Sequence, residues 1–225
     1  MTLAIASASG HTARAGAAGL APRAGAGTFG RMNLLLRLLW LAVAGGARGT
    51  VPVLGPCRTP FRVWPTDLDV LRHVNNGVYF SIMDVARVDL MRRAGLWRPL
   101  LARGWYPVAA AATIQFRRPL TLFQSFEIVT RVLAWDEKAF LLEQRFERGG
   151  EAVALAYVRA RFLAKGGGRV APADLLALAG LAPDAAPARP VPQAAARWNA
   201  DFATWQANGG GSPPAPGEGA TAGPG

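Results

Sequence analysis

Alternating apolar and polar residues dominate the middle of the chain and predict β-strands. Phe61–Trp64 alternates and ends at Pro65, and four longer alternating runs follow after a helical interval. Those runs are Val108–Arg118, Ser125–Trp135, Lys138–Arg148 and Glu151–Lys165. Alternation of this kind is typical of strands that bury one face. Because Gly149-Gly150 suits a tight hairpin turn between the last two runs, the pattern predicts an antiparallel sheet.

A helical spacing of apolar residues separates the first strand from the other four. Asn75-Asn76-Gly77 breaks the chain, and a helical stretch then runs to about Ala94. We assign the apolar stripe of this helix to the core, since a spacing of three and four places its members on one face: Tyr79, Met83, Ala86 and Leu90. One strand, one long helix and four strands joined by short turns predict an α+β fold.

The rest of the chain divides by composition. Residues 1–31 are rich in Ala and Gly and fit a disordered leader, a transit peptide or a start assigned ahead of Met32. The predicted segments that follow are a hydrophobic helix and connector at 32–57, the main domain at 58–165, a helical extension at 166–207 and a disordered tail at 208–225. Within the extension we predict a short helix at Pro172–Leu178 and a docked helix at Gln193–Asn208.

The hydrophobic segment near the N-terminus is too short to span a bilayer. Its uncharged run, Leu38–Gly46, has nine residues, whereas a spanning helix needs about 20. One interpretation is a membrane-surface helix or an uncleaved anchor over residues 32–46, with Arg37 and Arg48 near anionic headgroups. The other is a helix that packs on its own domain or on a partner subunit. We therefore expect a cytoplasmic protein and leave membrane association open.

Charge and composition narrow the function classes. The chain holds 25 Lys+Arg against 14 Asp+Glu, a formal charge of +11 that suggests a polyanionic partner. However, residues 1–57 hold five arginines and no acidic residue, so almost half of the excess lies in the N-terminal arm. No helix-turn-helix, zinc-finger or stacked-aromatic pattern accompanies the charge, and we expect no nucleic-acid partner. One cysteine and two histidines argue against a disulfide framework or a structural zinc site, and we expect no metal or cofactor.

The densest polar cluster lies between the first strand and the long helix. It reads Asp67-Leu-Asp69-Val-Leu-Arg72-His73-Val-Asn75-Asn76-Gly77-Val-Tyr79. A carboxylate there can act as a nucleophile or as the base that activates water. Unbonded N–H groups at the helix start can polarise a carbonyl oxygen, assisted by the helix dipole. The same residue types also suit ordinary helix caps and a structural histidine, so the pattern alone leaves both interpretations open.

The Asp-Leu-Asp-x-x-x-His-Val-Asn-Asn-x-x-Tyr element resembles the hotdog-fold thioesterases. Within these it is similar to the 4-hydroxybenzoyl-CoA thioesterase-like acyl-CoA hydrolases. Ile114-Gln-Phe-Arg-Arg118 and Trp135-Asp-Glu-Lys-x-Phe140 also resemble bacterial members, and the resemblance covers roughly Met32–Gly180. It implies a hotdog fold, in which a curved antiparallel sheet of five to six strands wraps a long central helix. It further implies hydrolysis of acyl-CoA, a role in lipid metabolism, and a homodimer or dimer of dimers.

The resemblance also implies roles for individual residues. Asp69 matches the catalytic carboxylate and Asn76 the position whose backbone amide polarises the carbonyl, and we expect Asp67 to fix the turn. His73 is either catalytic or orients the loop. The candidates for contacting substrate are Asn75, Tyr79, Arg117 and Arg118. Arg159 and Arg161 are further candidates for the phosphates of CoA, with a solvated strand face as the alternative.

Two alternatives stay open at this point. Plant acyl-ACP thioesterases share the motif, and their Asp and His match Asp69 and His73. Leu71 and Pro119, however, stand where that group has Asn and an acidic residue, which favours a mechanism centred on Asp69. The second alternative is a non-catalytic hotdog protein that binds acyl groups or acts as a scaffold at a membrane surface.

Overall fold

A single antiparallel sheet packs on one long helix in the computed structural model. The model describes Arg37, residues 48–182, Ala185, Pro187 and residues 190–207. The elements in chain order are β1 (Cys57–Arg62), α1 (Asn76–Arg93), α2 (Trp97–Ala102), β2 (Trp105–Phe116), β3 (Ser125–Trp135), β4 (Phe140–Arg148), β5 (Glu151–Ala164), β6 (Arg169–Val170), α3 (Pro172–Leu178) and α4 (Gln193–Ala207).

The strands follow the order β1-β3-β4-β5-β2, and β6 adds a short pairing to β5. All described pairings are antiparallel. The strand that follows α1 and α2 in the chain, β2, therefore crosses the sheet to pair with β5 and forms one edge. This arrangement confirms the predicted α+β fold with a long helix wrapped by an antiparallel sheet.

The inner face of the sheet and one side of α1 form the main core. The predicted stripe of Tyr79, Met83, Ala86 and Leu90 is buried throughout. On the sheet, the alternating residues of β5 that face the helix are also buried, namely Ala154, Ala156, Val158, Ala160 and Phe162. The alternation read from the sequence thus identifies the buried side of this strand correctly.

A buried amide ties α1 to the middle of the sheet. Gln144 lies on β4 with no exposed surface, and its Nε2 donates to the carbonyl of Met83 at 3.0 Å and to Thr130 Oγ1 at 3.1 Å. Its Oε1 accepts a hydrogen bond of 2.6 Å from Arg87. Because a buried amide is tolerated only when its polar atoms are bonded, this network fixes the rotation of α1 on the sheet.

The outer face of the sheet is partly covered by α4. Ala195 and Trp198 of that helix pack on a second apolar cluster with Leu133, Leu141 and Tyr157. Arg159, on the outer side of β5, is buried there and donates to Asn199 of α4 and to Asp136. The C-terminal extension therefore contacts the side of the sheet opposite α1.

Some elements differ from the sequence prediction. The helix α2 was not predicted, because six residues that include Pro99 are too short for a helical period. β1 begins at Cys57 and β2 at Trp105, ahead of the predicted starts at Phe61 and Val108. The predicted segments 1–31 and 208–225, and residues 32–46 other than Arg37, lie outside the described residues. In the part of the chain that the model describes, no helix is both long and apolar enough to cross a membrane.

Replacement of Phe146 by Ala should destabilise the domain strongly. Its ring has no exposed surface and contacts the rings of Tyr79 and Phe126, so its removal leaves a cavity at a cost of about 3–5 kcal/mol. Denaturant unfolding measures the loss. Phe123→Ala is the matched control, since that ring is 49% exposed; equal losses for the two variants would contradict the core assignment.

Candidate active site at the start of the long helix

A small hairpin connects β1 to α1 and carries the predicted catalytic residues. Leu68 pairs with Val74 across it, and the N–H of Asp69 donates to the carbonyl of His73 at 2.8 Å. Arg72 turns the chain with φ of +60°, a conformation that non-glycine residues adopt infrequently and that often marks functional loops. The hairpin returns the chain to the start of α1 and places Asp69 opposite His73, three residues before the helix begins.

The carboxylate of Asp69 is held through one of its two oxygens. Oδ1 accepts the N–H of Leu71 at 2.8 Å and the N–H of His73 at 3.2 Å. Oδ2 receives no hydrogen bond from any described residue, and the side chain is half-buried. The arrangement orients the group and leaves one oxygen for a ligand, as a nucleophile or general base requires.

The first amide of α1 is also left without an acceptor. Asn75 caps the helix: its side-chain oxygen accepts the N–H of Gly77 at 2.9 Å and its carbonyl accepts the N–H of Val78 at 2.9 Å. The N–H of Asn75 itself donates to the carbonyl of Asp67 at 2.8 Å. The N–H of Asn76 has no acceptor in the described chain, and the helix dipole adds partial positive charge there. This amide can polarise a carbonyl oxygen.

His73 lies in the same hairpin with an exposed side chain. Its carbonyl accepts the N–H of Asp69, and its own N–H donates to the Asp69 carboxylate. Its backbone also pairs with that of Thr121 in an isolated β-bridge. The imidazole makes no hydrogen bond with the residues that the model covers. The backbone of His73 therefore orients Asp69, and a catalytic role for its side chain stays a prediction.

Tyr79 packs beneath the helix start, within the core. It is 3% exposed, and its ring lies 4.8 Å from that of Phe116 and 5.1 Å from that of Phe146. Burial raises the pKa of its phenol, while a hydrogen bond with the backbone of Leu120 opposes that shift. The ring supports the start of α1, and a contact between Tyr79 and substrate stays a prediction.

The predicted basic residues fall into two places. Arg117 and Arg118 directly follow β2, and both N–H groups donate to the carbonyl of Val153. Their side chains are exposed at the end of the sheet where Phe116 meets Tyr79, and Arg118 pairs with Glu151. Arg159 and Arg161, by contrast, lie on the outer face of β5, where they bond to Asn199 and Gln206 of α4. Only the first pair shares an end of the sheet with Asp69.

A buried ion pair under the hairpin was missed from the sequence. The carboxylate of Asp67 has no exposed surface; it accepts the N–H of Trp64 at 2.8 Å and pairs with the guanidinium of Arg37. The expectation that Asp67 fixes the turn agrees with these bonds. No sequence pattern indicates that Arg37 is the partner of Asp67, because Arg37 lies 30 residues earlier in the chain. Among the described residues, no group of three or more His, Cys, Asp or Glu side chains is placed to hold a metal ion.

Comparison with known proteins matches this chain to one family model and to curated relatives. The family model of the thioesterase-like superfamily matches residues 63–198. "Protein THEM6" of Xenopus laevis is 48% identical over 84 residues, which cover 37% of this chain and 41% of that protein. "Probable thioesterase YBR096W" of Saccharomyces cerevisiae is 27% identical over 120 residues, 52% of each chain. The match thus spans about half the length of these curated relatives.

One solved structure of similar fold is a hypothetical protein, TT1821, from Thermus thermophilus. It is 26% identical, with a TM-score of 0.50, and the alignment covers 55% of this chain and 96% of that chain. A second, the hypothetical protein AQ1494 from Aquifex aeolicus, is 20% identical with a TM-score of 0.51 over 55% of this chain and 98% of that one, and supports the fold alone.

Replacement of Asn75 by Ala should weaken the start of α1. The change removes the acceptor for the N–H of Gly77 and should cost about 1 kcal/mol of stability. Asn75→Asp keeps an acceptor at the same position and should retain most of that stability. Urea unfolding of the three proteins tests this, and an Asp variant no more stable than the Ala variant would argue against the cap.

Proposed function

Because the chain belongs to the thioesterase-like superfamily, we propose that it hydrolyses the thioester of acyl-CoA to a free carboxylic acid and CoA. The observation that carries the proposal is that an oriented carboxylate lies on the hairpin leading into α1, whose first amide has no acceptor among the described residues. Asp69 offers Oδ2, and Asn76 offers its N–H at the positive end of α1. Attack on a thioester needs both a nucleophile or base and a donor for the carbonyl oxygen.

In this proposal Asp69 acts on the thioester carbonyl in one of two ways. As a base, it takes a proton from water while the hydroxide oxygen bonds to the carbonyl carbon; the carbon–sulfur bond then breaks and the thiolate takes up the proton. As a nucleophile, its oxygen bonds to the carbonyl carbon, the carbon–sulfur bond breaks and CoA leaves as the thiolate; water then cleaves the mixed anhydride, which returns the Asp69 carboxylate and releases the carboxylic acid, and the thiolate takes up the remaining proton. The N–H of Asn76 stabilises the negative oxygen in both routes. Since a thiolate leaves readily, neither route requires a strong acid.

The residues around the hairpin suit the acyl group and the CoA phosphates of such a substrate. Phe80, Phe116 and Leu122 are exposed next to the site and offer apolar contacts to an acyl group. Arg117 and Arg118 offer guanidinium groups to the phosphates of CoA. An acyl group on acyl carrier protein would use the same apolar contacts, so the carrier has to be tested separately.

We also propose that the working unit is a homodimer joined along β2. This strand has 12 residues and forms one edge of the sheet. On the face directed toward α1 it carries Ala109, Ala112 and Phe116, which stay exposed in the single chain. A long edge strand with small and apolar side chains favours pairing with another strand. In a symmetric dimer the β2 edges of both copies are covered by the same contact.

Asp69→Asn and Asp69→Ala should abolish thiol release from acyl-CoAs. Asn keeps the shape and the hydrogen bonds of the group but removes its basicity, so both variants should lose at least about 100-fold in kcat. A panel of acyl-CoA and acyl-ACP substrates, followed by thiol detection, measures this. Asp174→Asn is the matched control, because Asp174 is exposed on α3, away from the hairpin.

Two results would contradict the proposal. Full activity in both Asp69 variants would remove this residue from the mechanism. Binding of acyl ligands by the wild-type protein without turnover on any substrate would instead support the non-catalytic alternative.

Ala112→Lys should disrupt the dimer. A charge placed on the edge strand disfavours pairing, as in natural edge strands. Light scattering after size exclusion should show a dimer for the wild-type protein and a monomer for the variant, with activity lost on dissociation. Ala173→Lys is the control, since that alanine is exposed on α3. A fully active wild-type monomer would contradict the dimer proposal.

A further inference from the structure

We infer that Arg37, which precedes the matched family segment, is a positioning residue for the candidate active site. The segment matched by the family model begins at Val63, 26 residues after Arg37. The kinetic test of this inference rests on the proposed function, whereas its hydrogen-exchange test does not. It extends the working site beyond the family domain, to a residue in the N-terminal part of the chain.

The first step is the burial of Asp67. A carboxylate removed from water is costly unless it is paired and hydrogen-bonded. Asp67 accepts the N–H of Trp64 at 2.8 Å, and the guanidinium of Arg37 supplies a positive charge. Removal of Arg37 would take this charge away from the buried carboxylate, so the carboxylate should move toward water.

The second step is the fit of Arg37 to its surroundings. Its side chain is 9% exposed, lies over the ring of Phe61 at 5.8 Å from the centroid and donates to the carbonyl of Arg62 at 3.4 Å. The guanidinium therefore contacts the end of β1 and Asp67 together. It joins the strand that precedes the hairpin to the hairpin itself.

The third step carries this contact to the reacting groups. The carbonyl of Asp67 accepts the N–H of Asn75, and Asn75 caps α1 so that the N–H of Asn76 is left for substrate. A displacement of Asp67 thus displaces the helix start relative to Asp69. Misplacement of catalytic groups by about 1 Å can lower turnover by about 100-fold even when the altered residue is remote from the chemistry.

The chain supplies a matched control in a second buried pair. Arg48 donates to Asp89 through two hydrogen bonds of 3.1 and 3.0 Å, and Asp89 is 1% exposed. Asp89 follows Asn76 by 13 residues on α1, which places it about 20 Å along the helix. Both pairs join an arginine of the N-terminal region to a buried aspartate, but only the Arg37 pair touches the hairpin.

The kinetic test compares full-length Arg37→Ala with full-length Arg48→Ala. Both changes should lower the melting temperature, because each removes one charge partner from a buried carboxylate; Asp89 keeps Arg93, whose Nη1 lies 3.9 Å from it. Only Arg37→Ala should lower kcat, by about 10- to 100-fold with little change in KM, and Arg37→Lys should restore part of it. Asp67→Asn should show the same kcat loss, and the double variant should lose no more than either single one.

Hydrogen exchange gives a readout that is independent of activity. The amides of residues 67–77 should exchange faster in Arg37→Ala than in Arg48→Ala. If this occurs in a protein that hydrolyses no thioester, the positioning contact stands and the proposed function fails. Equal kcat and equal exchange in the two Ala variants would overturn the inference. If Arg37→Ala does not fold, Arg37→Lys and Arg48→Lys give the comparison with a smaller expected difference, because lysine keeps the charge but not the fork of the guanidinium.

Discussion

The amide groups at the beginning of α1 need hydrogen-bond acceptors, as at any helix N-terminus. The chain meets this need within a few residues: Asp67 supplies a carbonyl for the N–H of Asn75, and Asn75 supplies a side-chain oxygen for the N–H of Gly77 and a carbonyl for that of Val78. One amide, that of Asn76, stays unbonded in the described chain. The candidate site thus arises because the capping of α1 is nearly, but not fully, complete.

Other bonds in the same hairpin orient the carboxylate that would act with this amide. Asp69 is fixed by the N–H groups of Leu71 and His73, which belong to the hairpin that also presents Asn75. The hairpin is short, so a movement of its base changes the position of the cap relative to the carboxylate. For this reason a buried pair at the base, between Arg37 and Asp67, bears on the geometry of the whole site.

The pattern of the sequence predicted the regular elements better than the long-range contacts. β3 and α3 begin and end at the predicted residues, because the alternation of β3 and the proline at the first position of α3 are local signals. Gln144 was not expected inside the sheet, since its amide becomes acceptable only when Met83, Thr130 and Arg87 come together in the fold. The Arg37–Asp67 pair is hidden for the same reason, as its partners lie 30 residues apart. Asp69 and Asn76 were found because their motif is contiguous, and the family match supports the fold around them while their roles stay proposals.

The positions of the charged side chains indicate which kind of ligand the excess of basic residues suits. Several arginines on the sheet are already paired with carboxylates: Arg58 lies 2.7 Å from Glu147, and Arg131 lies 3.3 Å from Glu143. Such pairs contribute little net field, so a count of basic residues overstates the attraction for a polyanion. Arg72 and Arg117, on the hairpin and after β2, pair with no carboxylate within the described ranges. Both arginines lie at the end of the sheet that holds Asp69. Their charge therefore acts where a phosphate-bearing substrate of the proposed reaction would approach. A nucleic-acid interpretation of the net charge does not explain this location.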